Sequence, residues 1–301
     1  MTLSDVRKKF LKHCESAISL SHHTIKAYRS DIDDFQLYLG IRKKIESVDK
    51  DNFRQYIRHL REHEGFKEST IKRRLASLKL MFKWAIQEEM LKINPFDSLN
   101  ERIRLPKRLP RALDRGDQTS LRKAIAIHPR VDDFDTVRAK TAIHLLLDTG
   151  IRVGELVTIN LKDLSITDSC LVIQGKGNRQ RLVYLLQKPL FRKIEQYLTW
   201  RNSLSTDSEK LFVTFDGKTL STQKIRQILR GISKEAGISK RVTPHMLRHT
   251  CATQWLEAGL DIRYVQKLLG HQSISTTEIY THVSDQGLRE ALSRAAGVGR
   301  R

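Results

Sequence analysis

Four short segments in the second half of the chain carry polar residues where packing alone would not ask for them. In Thr149-Gly150-Ile151-Arg152-Val153-Gly154-Glu155-Leu156 an arginine follows a glycine turn at the predicted start of a helix. A helix amino terminus favours an anion over a cation, so an anion docked there would be faced by both the helix end and Arg152. A plain salt bridge to Glu155 is the simpler alternative. Gly175-Lys176-Gly177 lifts a lysine to the tip or shoulder of a predicted hairpin, although hairpin turns favour glycine for conformational reasons in any case. His245-Met246-Leu247-Arg248-His249 follows Pro244, which suits a first helical turn, and His245 and Arg248, three apart, share a face. His245 and His249 also have a zinc-like spacing of four, but the glutamate of the zinc-protease helix is missing, as is a nearby carboxylate or cysteine ligand, so no metal is expected. In the segment Leu268 to Tyr280, Gly270 is predicted to end one helix and leave His271 exposed in the turn. Ser273 or Ser275 can cap a short helix bearing Tyr280, although a helical tyrosine taken by itself suits a core equally well.

The elements that must position these residues are mostly helical. From Leu3 to about Leu91 apolar residues recur at spacings of three and four, in Val6–Phe10, Ile25–Tyr28–Ile32–Phe35, Phe53–Ile57–Leu60 and Ile71–Leu75–Leu78–Phe82, which predicts a four-helix domain. Ser4 and Asp51 are the expected N-caps there, and Gly40 and Gly65 the expected helix stops. Between Asn94 and Arg111 three prolines break any helix, while Arg102, Arg104, Lys107, Arg108 and Arg111 crowd together. This reads as a basic interdomain linker over residues 94–111, dividing a helical domain at 1–93 from a second domain at 112–301. In the second domain Leu121 to Leu147 predicts two helices, Val172 to Leu185 a β-hairpin, and Phe191 onward a return to helices. The expected class is therefore mainly α with a small β-sheet. Neither a doubly wound βαβ alternation nor a glycine-rich phosphate loop before a helix is visible.

Charge narrows the partners. Lys and Arg number 55 against 34 Asp and Glu, a surplus of 21 whose sign attracts polyanions, so nucleic acid leads. In the helical domain Lys72, Arg73 and Arg74, three cations in a row, are the expected phosphate contacts, as are Arg102, Arg104, Lys107 and Arg108 in the linker. An anionic membrane surface would attract the same charge, but no apolar run of about 18 residues and no signal-peptide pattern is present, so a cytoplasmic location is expected. Cys14, Cys170 and Cys251 are too few and too far apart for a disulfide framework or a zinc site and are expected to be small apolar residues.

Taken together and in this order, the four segments resemble the tyrosine recombinase, or phage integrase, family. The family pattern has an arginine in T-G-x-R-x-x-E-L, a lysine in a hairpin G-K-G, then H-x-L-R-H, L-G-H and a closing tyrosine. It is met here by Arg152, Lys176, His245, Arg248, His271 and Tyr280. The likeness extends through Ala258-Gly259-Leu260-Asp261-Ile262-Arg263 and Tyr280-Thr281-His282-Val283, and its layout is closest to the compact Xer-like members. One departure is Tyr184, where those members often carry proline. No arm-binding domain is expected ahead of residue 1.

The resemblance implies a helical core-binding domain, an α+β catalytic domain, and strand cleavage through a 3′-phosphotyrosyl ester at Tyr280. It further implies strand exchange between two duplexes by four protomers through a four-way junction. These residue types suit that reaction. Arg152 and Arg248 can hold the non-bridging oxygens bidentately as charge builds, His245 and His271 add donors, and Lys176 can protonate the leaving 5′ oxygen. Neither a cofactor nor a metal is implied. The segment after Tyr280, with Leu288, Leu292 and Ala296 on one face, could dock on a neighbour or on its own domain, and accessory proteins or a second recombinase are possible partners. A type IB topoisomerase would share the chemistry without a partner duplex, and a non-enzymatic DNA-binding regulator would not need all six residues.

Overall fold

The computed structural model describes residues 1–16, 20, 22–99, 103, 112–126, 132–175 and 180–270, and the chain divides into two units, Met1–Lys107 and Arg108–Arg301. The first contains α1 (Leu3–Ser16), α2 (His22–Leu39), α3 (Lys50–Glu62) and α4 (Glu68–Gln87), the four helices that the apolar spacing predicts. Gly40 and Gly65 end α2 and α3 in the left-handed region, at φ of 95° and 62°. The caps differ from expectation by two residues in both cases. Thr2 Oγ1 accepts from the Asp5 N–H at 3.2 Å, so α1 begins at Leu3 and buries that side chain completely; Ser4 lies inside the first turn. Asp49 caps α3, accepting from the Asp51 and Asn52 N–H groups at 3.0 and 2.9 Å while Asn52 Oδ1 accepts from the Asp49 N–H at 3.2 Å. Asp51 thus sits in the first turn, where a carboxylate favours the helix dipole without capping it.

The core of this unit is aromatic. Phe35 stacks on Phe53 at 4.9 Å, and Phe53 meets Phe82 at 5.4 Å and Phe96 at 4.2 Å. Phe96 comes from the stretch read as linker, and Leu99 and Ile103 also pack against this core. The helical unit therefore runs past residue 93, because one aromatic ring and two aliphatic side chains of a basic, proline-rich stretch gain more by burial than by solvation.

In the second unit come α5 (Arg115–Ala124), α6 (Phe134–Thr149), α7 (Val153–Leu156), β1 (Leu164–Ser165), β2 (Cys170–Gln174), β3 (Gln180–Tyr184), α8 (Lys188–Asn202), α9 (Thr222–Glu235), α10 (Pro244–Glu257) and α11 (Ile262–Leu269). The hairpin falls where the sequence predicts it, with Gln174 opposite Gln180 and Cys170 opposite Tyr184, but a short third strand, β1, extends the sheet in the order β1-β2-β3. Helix α6 is buried on nearly every face, Leu145, Leu146 and Leu147 among its fully buried residues, so it is the post around which the unit is packed. The predicted run of helices from Phe191 is interrupted between α8 and α9. Arg201 there donates to the Ser208 and Lys210 carbonyls at 2.6 and 2.8 Å, and Tyr197 Oη donates to that of Leu211 at 2.9 Å, so side chains stand in for a regular ladder.

Candidate active site

Helix α6 stops at Gly150, which adopts φ of 61° and accepts no larger residue: a Cβ would lie 2.8 Å from Leu269 Cδ2. Beyond this turn Arg152 is the N-cap of α7. Its backbone N–H donates to Glu155 Oε2 at 2.7 Å and its Nη1 donates to Glu155 Oε1 at 2.8 Å, while the side chain stays 47% exposed. This arginine pairs with Glu155, as the simpler alternative has it, and still presents nearly half its surface outward.

Helix α10 begins as Pro244 predicts, with Thr243 Oγ1 accepting from the Met246 N–H at 3.3 Å. His245 is exposed in its first turn. One turn on, Arg248 is buried and donates through Nη1 to the Gly150 carbonyl at 2.7 Å and through Nη2 to that of Leu269 at 2.6 Å. One guanidinium thus bridges the carboxyl ends of α6 and α11. His249, on the inner side of α10, is buried, and burial together with the neighbouring His245 pushes its imidazole down to about 4, so it is neutral at physiological pH. The His245 and His249 rings lie 6.5 Å apart, and no metal-holding group of three ligands occurs among the described residues.

Helix α11 ends, as expected, at Gly270 in the left-handed region with φ of 66°. Three successive carbonyls at this end each receive a different arginine: Leu268 from Arg181 Nε at 2.8 Å, Leu269 from Arg248, and Gly270 from Arg152 Nη2 at 3.4 Å. The last carbonyls of a helix lack intrahelical partners and carry its partial negative charge, so cations are favoured there. Arg181 also grips Glu155 with both forks, at 3.0 and 2.8 Å. Burial alone would raise the Glu155 carboxyl, but the hydrogen bonds from Arg181 and Arg152 outweigh it and hold the group below the ordinary carboxylate range. Two guanidiniums therefore share one carboxylate while Arg248 is held by backbone carbonyls, which leaves a surplus of positive charge suited to an anion.

The structure thus brings Arg152 and Arg248 together, with His245 one turn from Arg248. Lys176, His271 and Tyr280 lie outside the described residues, as do Arg102, Arg104, Lys107 and Arg108. Arg181, which sequence reasoning missed, has a readable signal: in β3 it shares the inward register with buried Val183, and a cation at an inward strand position calls for a buried partner. In the helical unit Lys72 is exposed, whereas Arg73 is paired with buried Asp31, and Arg74 with Asp34 while covering the Phe66 ring at 4.4 Å. These two arginines join α4 to α2 through ion pairs, and Arg73 remains about half exposed.

Residues 117–287 match the phage integrase family and residues 8–89 match the phage integrase N-terminal SAM-like domain. The chain is 33% identical to a protein named tyrosine recombinase XerC from Thermodesulfovibrio yellowstonii, over 95% of this chain and 94% of that one. It is 32% identical to tyrosine recombinase XerD from Staphylococcus saprophyticus, over 96% and 97%. The fold is similar to a crystal structure of the XerH site-specific recombinase bound to a palindromic difH substrate, with a TM-score of 0.78 at 23% identity over 95% of this chain and 84% of that one.

Proposed function

The chain belongs to the phage integrase family and is a tyrosine recombinase, and on that premise we propose how its residues divide the work of cutting and rejoining DNA. The observation that carries the assignment is the gathering of Arg152 and Arg248 on adjacent carbonyls at the end of α11, one residue ahead of His271. Fixed guanidiniums supply the charge that a phosphodiester needs before a nucleophile can approach it. Arg152 and Arg248 take the non-bridging oxygens, with His245 and His271 as further donors. The Tyr280 phenol, whose ordinary pKa of about 10 makes it both a usable nucleophile and a good leaving group, attacks phosphorus. A P–O bond to tyrosine forms as the bond to the 5′ oxygen breaks, and Lys176 gives that oxygen a proton. The 5′ hydroxyl of a second duplex reverses the step and releases the tyrosine. Four protomers on two duplexes would carry out a full exchange, with or without accessory proteins, and a DNA substrate of this kind sets the workplace in the cytoplasm.

Because the arginines carry the charge role, covalent adducts on a nicked suicide substrate are expected to form equally well in excess EDTA. Loss of adducts on chelation, with recovery in Mg²⁺, would transfer that role to a metal.

The same reading assigns Arg102, Arg104, Lys107 and Arg108 to the duplex backbone; Lys72 is a further phosphate contact. Replacing Arg104, Lys107 and Arg108 by alanine is expected to flatten the plot of log affinity against log salt by about two to three, roughly one per lost phosphate contact, on cognate and random DNA alike. An unchanged slope would make the stretch a solvated connector.

A further inference from the structure

Of the two arginines that grip Glu155, Arg181 is the one that does not face outward. Its side chain is 12% exposed and donates to the Glu155 carboxylate and the Leu268 carbonyl. A buried cation is tolerated only when paired and hydrogen-bonded, and here both conditions are met by groups that also touch the phosphate-facing residues. Each Glu155 oxygen is divided between two donors. Oε1 accepts from Arg181 Nη1 at 3.0 Å and Arg152 Nη1 at 2.8 Å; Oε2 accepts from Arg181 Nη2 at 2.8 Å and the Arg152 N–H at 2.7 Å. Arg181 thus fixes the plane of the carboxylate, and the carboxylate fixes Arg152.

We propose that Arg181 is a positioning residue that keeps Arg152 electrostatically available to the scissile phosphate by occupying half of Glu155, and that it fastens the β2–β3 hairpin to the end of α11. The inference rests on the reading of Arg152 as a phosphate-binding group. With Arg181 in place, two cations share one buried anion and a positive charge is left over for the substrate. Without it, Glu155 would turn fully onto Arg152, and the pair would approach neutrality. The same residue lies against Gly270, where a Cβ would come 3.2 Å from Arg181 Cδ, so the strand that leads out of the hairpin and the segment leading to His271 are held to a single register.

The test compares single-turnover cleavage of an ordinary phosphodiester with that of a substrate carrying a neutral methylphosphonate at the scissile position, in the full-length protein. Neutral phosphorus does not need the charge that Arg152 supplies. Arg181→Gln is therefore expected to slow cleavage of the diester about 10²-fold, the order of effect of one misplaced or lost electrostatic donor, and cleavage of the methylphosphonate only a few-fold. A variant that merely folds less well would lower both rates alike, so the ratio is independent of the folded fraction, and equal losses on the two substrates would overturn the proposal. In an Arg152→Ala background Arg181→Gln is expected to add only a few-fold to the loss on the diester, whereas a further 10²-fold would show that Arg181 acts by a route other than Arg152. Failure of the unmodified protein to form any Tyr280 adduct on the diester would be a different result, one that removes the recombinase site reading itself and this proposal with it.

Discussion

Tyr280→Phe is expected to form no covalent adduct with DNA while binding it with nearly unchanged affinity. The substitution deletes one oxygen and keeps the ring, so packing is retained and the only group lost is the nucleophile. Among the described residues no tyrosine is an equivalent candidate. Tyr56 and Tyr197 are buried, and burial pushes both phenols above their ordinary value, away from the reactivity a nucleophile needs. Tyr264, on α11, and Tyr184, at the end of β3, are exposed and are the alternatives. The measurement is denaturing electrophoresis of a labelled suicide substrate after reaction, beside a filter-binding or mobility-shift titration. Adducts persisting in Tyr280→Phe and disappearing in Tyr264→Phe would move the nucleophile to α11.

Lys176→Ala is expected to slow cleavage by roughly 10² to 10⁴, the range of a lost general acid, with little change in DNA affinity. The leaving 5′ oxygen is a poor leaving group without a proton, and β3, which pairs with β2 in the hairpin that carries Lys176, is tied to the end of α11 through Arg181. Replacing the 5′ bridging oxygen by sulfur, which departs without protonation, is expected to restore most of the rate to Lys176→Ala. It is not expected to restore Arg152→Ala, because that charge serves the non-bridging oxygens. If both variants fail equally on the sulfur substrate, Lys176 is not the acid and His271 becomes the candidate.

How much of this could be read from the sequence depends on the range of each interaction. Helix ends are local: Gly150, Gly270 and Pro244 mark their boundaries because a left-handed turn or a first helical turn needs little beyond the residue itself. Capping side chains are local too, yet Ser4 and Asp51 were each two residues from the true cap, since the choice between neighbouring acceptors is made by which apolar residues must face the core. Long-range pairing was not legible. Arg73 and Arg74 resemble a nucleic-acid patch in sequence, and only the folded α2 brings Asp31 and Asp34 to them across about forty residues. Phe96 is likewise a lone aromatic in a basic stretch until Phe53 and Phe82 supply its contacts. Arg181 joins residues 155 and 268, and no spacing along the chain announces that meeting.

The carbonyls of Leu268, Leu269 and Gly270 occupy consecutive positions in a single helical turn, and each holds a different arginine. Arg181, Arg248 and Arg152 come from a strand, a second helix and a loop, yet all three answer to the same local folding event. Were that turn to fray, the three cations would lose a shared anchor together, leaving Glu155 to hold Arg152 and Arg181 and the Gly150 carbonyl to hold Arg248. The winding of one helical turn is therefore an anchor common to all three cations, immediately upstream of the segment that leads to Tyr280.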